Sequence, residues 1–126
     1  MSLRIAMAAV FVAATVSIAG AVTLDSAVMG NLSPRTAVCR VVNVGNKPIT
    51  VTARLLNTSS GTNIATSTTP QCAGTLPLLP HNTCFASLSG QIFIRCNITS
   101  SSSKIRATLT SESAGLAVIT LPVTTK

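Results

Sequence analysis

The sequence predicts an all-β fold, an antiparallel sandwich closed by two disulfides, and three observations carry that reading. Val, Ile and Thr recur in short runs that alternate apolar with polar residues, the period of a strand with one buried face. Clusters of Gly, Pro, Asn and Ser punctuate those runs at short intervals. Four cysteines lie among them, an even number that suits a disulfide framework.

With 126 residues there is room for a single domain, and a chain of this size buries an adequate core by itself. Charged residues make up only 9%, which leaves Thr, Ser, Ala and Val to dominate, a composition fitted to pleated, half-buried surfaces.

The opening residues follow the order of a secretory signal. Arg4 precedes the apolar stretch 5–18, and Ala19, Gly20 and Ala21 supply an A-x-A ending. Cleavage is expected after Ala21, so that 1–21 is a leader and 22–126 the folded domain. The rival is a membrane anchor, since roughly 18 apolar residues can span a bilayer. This run is Ala-rich and broken by Thr15 and Ser17, which favours the leader. The mature domain is then periplasmic or secreted, with no stable membrane span. Losing Arg4 leaves eight of the nine Lys and Arg against two acids, Asp25 and Glu112, so any contact surface favours anions over cations.

Each strand follows from its pattern. Residues 22–29 form a first strand, ended by Gly30, Asn31, Ser33 and Pro34. Residues 36–44 and 49–56 follow, separated by Gly45, Asn46, Lys47 and Pro48, a turn cluster in which Gly and Asn tolerate positive φ. The Thr- and Ser-rich stretch 57–71 holds at most a short edge strand near Ile64. Pro77 and Pro80 make 72–84 a loop, because proline cannot donate to a ladder. Residues 84–88, 91–98, 104–110 and 116–124 complete about seven strands, the expectation for an immunoglobulin-like sandwich.

Period two assigns the faces. Cys39, Val41 and Asn43 share one face, with Val38, Arg40, Val42 and Val44 on the other. Ile49, Val51, Ala53 and Leu55 oppose Thr50, Thr52, Arg54 and Leu56. Ile92, Ile94, Cys96 and Ile98 oppose Gln91, Phe93, Arg95 and Asn97. Ile105, Ala107 and Leu109 oppose Lys104, Arg106 and Thr108.

Four cysteines allow three pairings. Joining Cys72 to Cys84 closes the Pro-rich segment, and joining Cys39 to Cys96 links two residues on apolar strand faces. On the chain-entropy model the short loop contributes about 3 kcal/mol and the long one about 4. A zinc site is disfavoured, because no pair is spaced C-x-x-C and His81 is the lone histidine. No cofactor is implied.

The run Cys39-Arg40-Val41-Val42-Asn43-Val44-Gly45, followed by 49–56, resembles the V-x-N-x-G opening of exported bacterial immunoglobulin-like modules, such as the adhesion-related domains called CARDB. Leu79-Pro80-His81-Asn82-Thr83 is similar to their L-x-P-G-x turn, with His81 where glycine is usual. The likeness covers residues 36–110 and implies an architecture shared by spacers, adhesins and binding units. The added cysteines and the missing aromatics depart from that pattern.

Catalysis is not expected. A nucleophilic hydrolase needs a base with an orienting carboxylate, and His81 has Cys84 nearby but no acid close in sequence. Asp25 and Glu112 are the whole stock for a glycosidase. The outward Arg40, Arg54, Arg95 and Arg106 are candidates for an arginine-bearing sheet face that binds acidic polymer or lipid head groups. The plainer reading is that scattered charges keep strands soluble and guard their edges. Nucleic acid is disfavoured, because Trp and Tyr are absent and the mature domain has only Phe85 and Phe93 for stacking. Leu76, Leu78 and Leu79 are docking-loop candidates, in the manner of a small protease inhibitor, unless they merely cap the core. Asn31, Asn57 and Asn97 begin glycosylation acceptor patterns. The function expected is a non-catalytic structural or protein-interaction module of the cell surface or periplasm.

Overall fold

The computed structural model describes residues 20–31, 35–90, 92–113 and 116–125. Apart from Gly20 and Ala21, the expected leader lies outside the described residues. Among those described there is no helix, and nine strands form one antiparallel sheet. They are β1 (Val22–Ser26), β2 (Met29–Asn31), β3 (Thr36–Asn43), β4 (Val51–Asn57), β5 (Ser67–Thr68), β6 (Thr83–Ser89), β7 (Ile92–Ser100), β8 (Ile105–Ser113) and β9 (Leu116–Thr125).

Alternation decides which side chains turn inward. β3 buries Ala37, Cys39, Val41 and Asn43, and β7 buries Ile94, Cys96, Ile98 and Ser100. β4 adds Val51, Ala53 and Leu55. Across the sheet the order runs β4, β7, then β1 and β2 end to end, β9, β8, β3, β6 and β5. The sheet curls until β3 and β7, distant in that order, meet through their inner faces, where Cys39 is bonded to Cys96. The second disulfide joins Cys72 to Cys84.

Nine strands stand where seven were expected, and the first of the two additions has a local cause. The expected first strand divides because one extra residue separates Asp25↔Asn97 from Met29↔Ile94 in the ladder with β7. A bulge of this kind reverses the inward parity, so that Leu24 and Ser26 are buried before it and Met29 and Asn31 after it. The Ser26 hydroxyl accepts the Cys96 N–H at 2.8 Å inside the bulge. The other addition, β5, lies against β6 rather than near Ile64. Ile64 instead donates its N–H to Leu55 O at 2.8 Å.

The Pro-rich loop is strapped down. Leu78 exchanges both backbone hydrogen bonds with Ile49, and Ala53 donates to Cys72 O, so the loop covers the outer edge of β4. Covering an edge in this way removes it as a template for unwanted pairing.

Candidate functional site

The structure does not bring the four arginines together. Arg40 neighbours Cys39 in β3 and Arg95 neighbours Cys96 in β7, and the two cysteines face each other across the core. Their neighbours must therefore point away on opposite sides. Cross-strand register sets Arg106 beside Val42 on the β3 side, and Arg54 beside Asn97 on the β7 side. A single arginine-bearing face is thus replaced by two separated pairs.

Three of the four are also engaged locally. Arg95 donates to Asp25 Oδ1 at 2.8 Å, and Arg54 donates to Asn97 Oδ1 at 3.3 Å. Arg40 forms a two-point pair with Glu112, its second contact being Nη2 to Oε1 at 3.2 Å. The Arg40 hydrogen bond holds the Glu112 carboxyl below the usual carboxylate range against the opposing effect of burial, and the Thr110 hydroxyl adds to the lowering. Arg40 is raised in turn, chiefly by its hydrogen bond to Glu112.

This pair makes a pH prediction. A carboxylate depressed in the folded state binds fewer protons there than when unfolded, so its stabilisation is complete above the unfolded value and disappears as pH falls through the folded one. Thermal melts from neutral pH downward are expected to show the melting temperature of Glu112→Gln falling less steeply than that of the parent. Parallel curves would refute this assignment.

The remaining candidates separate by burial. Leu78 is fully buried in the core, so the docking-loop set reduces to the exposed Leu76 and Leu79. His81 is exposed and adopts a left-handed φ of 64°, the conformation that favours glycine at this turn position. Its N–H donates to Asn43 O at 2.8 Å. Asn31 is buried, donates to Arg35 O and Gly90 O, and accepts the Ser111 hydroxyl, so its amide serves the core. Asn97 donates to Asp25 while accepting from Arg54. Among the described residues, no group of three His, Cys, Asp or Glu side chains is placed to hold a metal ion.

Two features escaped the sequence reading. The first is a cleft of about 500 Å³ at the end of the sheet where β3 finishes and β8 begins, lined by the 43–49 segment with Ser101, Ser102 and Lys104. Asn43 builds one wall. Its side chain, wholly buried, accepts the Gly45 N–H and donates to Lys47 O and Leu78 O at 2.8 and 3.0 Å. Gly45 lets the turn close, since a Cβ there would stand only 3.0 Å from the Lys104 Cβ. Lys47 and Lys104 thereby line one cleft, and Arg106 follows two residues after Lys104 on the same outward parity. The signal available was the inward parity of Asn43, a polar residue in an apolar row.

The second is an opening in the sheet. β1 pairs with the far end of β9 through Leu24–Ser26, but among the described residues β2 pairs only with β7, and residues 116–121 of β9 only with β8. Ile119 stands opposite the buried Ser111, hence on the core side, yet is 38% exposed. Leu116 is 73% exposed beside it. Among the described residues, no strand therefore pairs with the free side of the first half of β9, and Ile119 and Leu116 are exposed there.

No family model, curated protein or solved structure matches this chain.

Proposed function

We propose that this chain is a non-catalytic exported module of the cell surface or periplasm, an immunoglobulin-like sandwich that works through protein contacts. Two disulfides support an oxidising compartment, because thiols stay reduced in the cytosol of most cells. The curled sheet, with β3 and β7 linked across the core, is compatible with the sandwich and with kinship to CARDB-like modules.

The observation that carries the functional reading is the unguarded edge of β9. Soluble proteins blunt exposed edges with charges, short strands or bulges. β9 has the sequence LAVITLPVTT, ten residues without a charge, interrupted by Pro122 and by a register irregularity between Ile119 and Ala117. An edge of that kind suits the addition of an extended segment from a partner protein, whose main chain completes the ladder while its side chains fill the opening.

A photo-crosslinking residue placed at Ile119 in the producing cell is expected to give one discrete protein adduct. The same residue at Thr108, on the outer face of β8, should give none. Adding Ala117→Pro, which removes a backbone N–H from the exposed half of β9, should reduce the adduct at least tenfold. Equal adducts from both positions, or no adduct at Ile119, would reject the reading.

A further inference from the structure

We propose that the cleft between the 43–49 turn and the 101–104 loop binds a phosphate-type oxyanion through Lys47 and Lys104. This site is separate from the β9 opening and from the two arginine–carboxylate pairs.

Charge balance is the first argument. Asp25 and Glu112 are the only two acids in the chain, and each is held by an arginine, Arg95 and Arg40 respectively. Neither reaches the cleft. Glu112 lies six residues along β8 from Arg106, roughly 20 Å in an extended strand, and Asp25 is engaged with Arg95 and Asn97 on the outer face of β7. Among the described residues, Lys47, Lys104 and Arg106 therefore form a positive end with no Asp or Glu side chain beside it, and a bound anion would relieve the repulsion among them.

Preorganisation is the second. The lysines are not placed by chance flexibility of one loop, because three segments are tied together under them. Asn43 clamps the turn to Leu78, Val44 donates to Lys104 O at 3.0 Å, and Ser101 accepts Thr50 N–H at 2.9 Å. Fixing the backbone beforehand lowers the ordering cost of binding.

Donor chemistry then selects the ligand. Each ammonium offers three donors and no acceptor, and the hydroxyls of Ser101 and Ser102 retain hydrogens to donate. Lysine and serine donors lining one open cleft match a compact dianion with several acceptor oxygens. Lysine suits phosphate as a point charge, without demanding the flat two-oxygen geometry that arginine prefers. The phosphate group has two sources, the free ion or its esters, and an anionic lipid head group.

The test is an amide NMR titration of the folded, oxidised protein with inorganic phosphate, at fixed pH and fixed ionic strength set by chloride. Saturating shifts confined to residues 43–49 and 101–104 are expected, and the Lys47→Gln/Lys104→Gln double variant should bind at least tenfold more weakly. Arg35→Gln/Arg54→Gln removes the same net charge elsewhere and should bind as the parent does. Thermal melts verify that both variants are folded. In a second arm, vesicles of phosphatidylglycerol and phosphatidylcholine are sedimented with the protein. Phosphate saturation without sedimentation identifies the free ion or its esters, and sedimentation lost in the lysine double variant identifies the head group. If neither arm shows lysine-dependent binding, or if both double variants lose it equally, the site does not exist.

Discussion

Replacing Cys39 and Cys96 together by alanine is expected to lower the stability of the oxidised protein by about 4 kcal/mol, the largest effect of any change considered. The two residues are 57 apart in sequence, so the bridge removes a long loop from the unfolded ensemble. Loop-closure entropy grows only with the logarithm of length, and the Cys72/Cys84 pair, with a separation of 12, should contribute about 3 kcal/mol. Position adds to length. The long-range bridge ties β3 to β7, which share no ladder, so without it their inner faces are held by apolar contact alone. Urea unfolding of the double variants measures both values. The dependence on denaturant should steepen when Cys39 and Cys96 are replaced, since a less constrained unfolded chain exposes more surface. A loss below about 1 kcal/mol would mean that the unfolded chain is already compact enough for the bridge to matter little.

The second large effect is expected at Asn43. Its amide is completely buried and makes three hydrogen bonds to three backbone groups, those of Gly45, Lys47 and Leu78. Asn43→Ala leaves an N–H and two carbonyls short of a partner near the core, at a cost of about 2–4 kcal/mol. Asn43→Asp separates the donor from the acceptor function. It retains an oxygen for Gly45 but turns an anion toward the two carbonyls, and should be no more stable than the alanine variant near neutral pH. Equilibrium unfolding gives the total, and amide hydrogen exchange shows where it falls. Protection should decline first at Ile49 and Leu78, whose backbone exchange sits directly above the amide. Wild-type stability in both variants would show that water replaces the lost bonds without penalty.

Much of this fold was legible because the alternation of residues is a local property. Cys39 and Val41 in β3, Val51 and Leu55 in β4, and Ile94, Cys96 and Ile98 in β7 all turn inward as period two requires. Where the reading slipped, a backbone irregularity intervened. Nothing in 22–31 announces a bulge, so Asn31 was read as a residue that ends a strand rather than as a buried hub between β2, Gly90 and Ser111. Leu78 stood between docking loop and core cap, because the prolines on both sides conceal that it pairs with Ile49.

The candidate sites were less legible than the strands. Outward parity correctly separates Arg40, Arg54, Arg95 and Arg106 from the core, but parity says nothing about which side of the molecule a strand occupies. That depends on sheet order, and the curl sends β3 and β7 to opposite sides.

The residues alone therefore determined strand content, inner and outer faces, and an even cysteine set suited to an oxidising compartment, all of which follow from nearest-neighbour geometry and composition. Tertiary structure decided which charges are neutralised and which remain. Arg40 meets Glu112 across 72 positions and Arg95 meets Asp25 across 70, while Lys47 and Lys104 come to line one cleft. The physical reason is that an ion pair or a cleft requires contact in space between segments far apart along the chain, and only the register and curl of the sheet supply it.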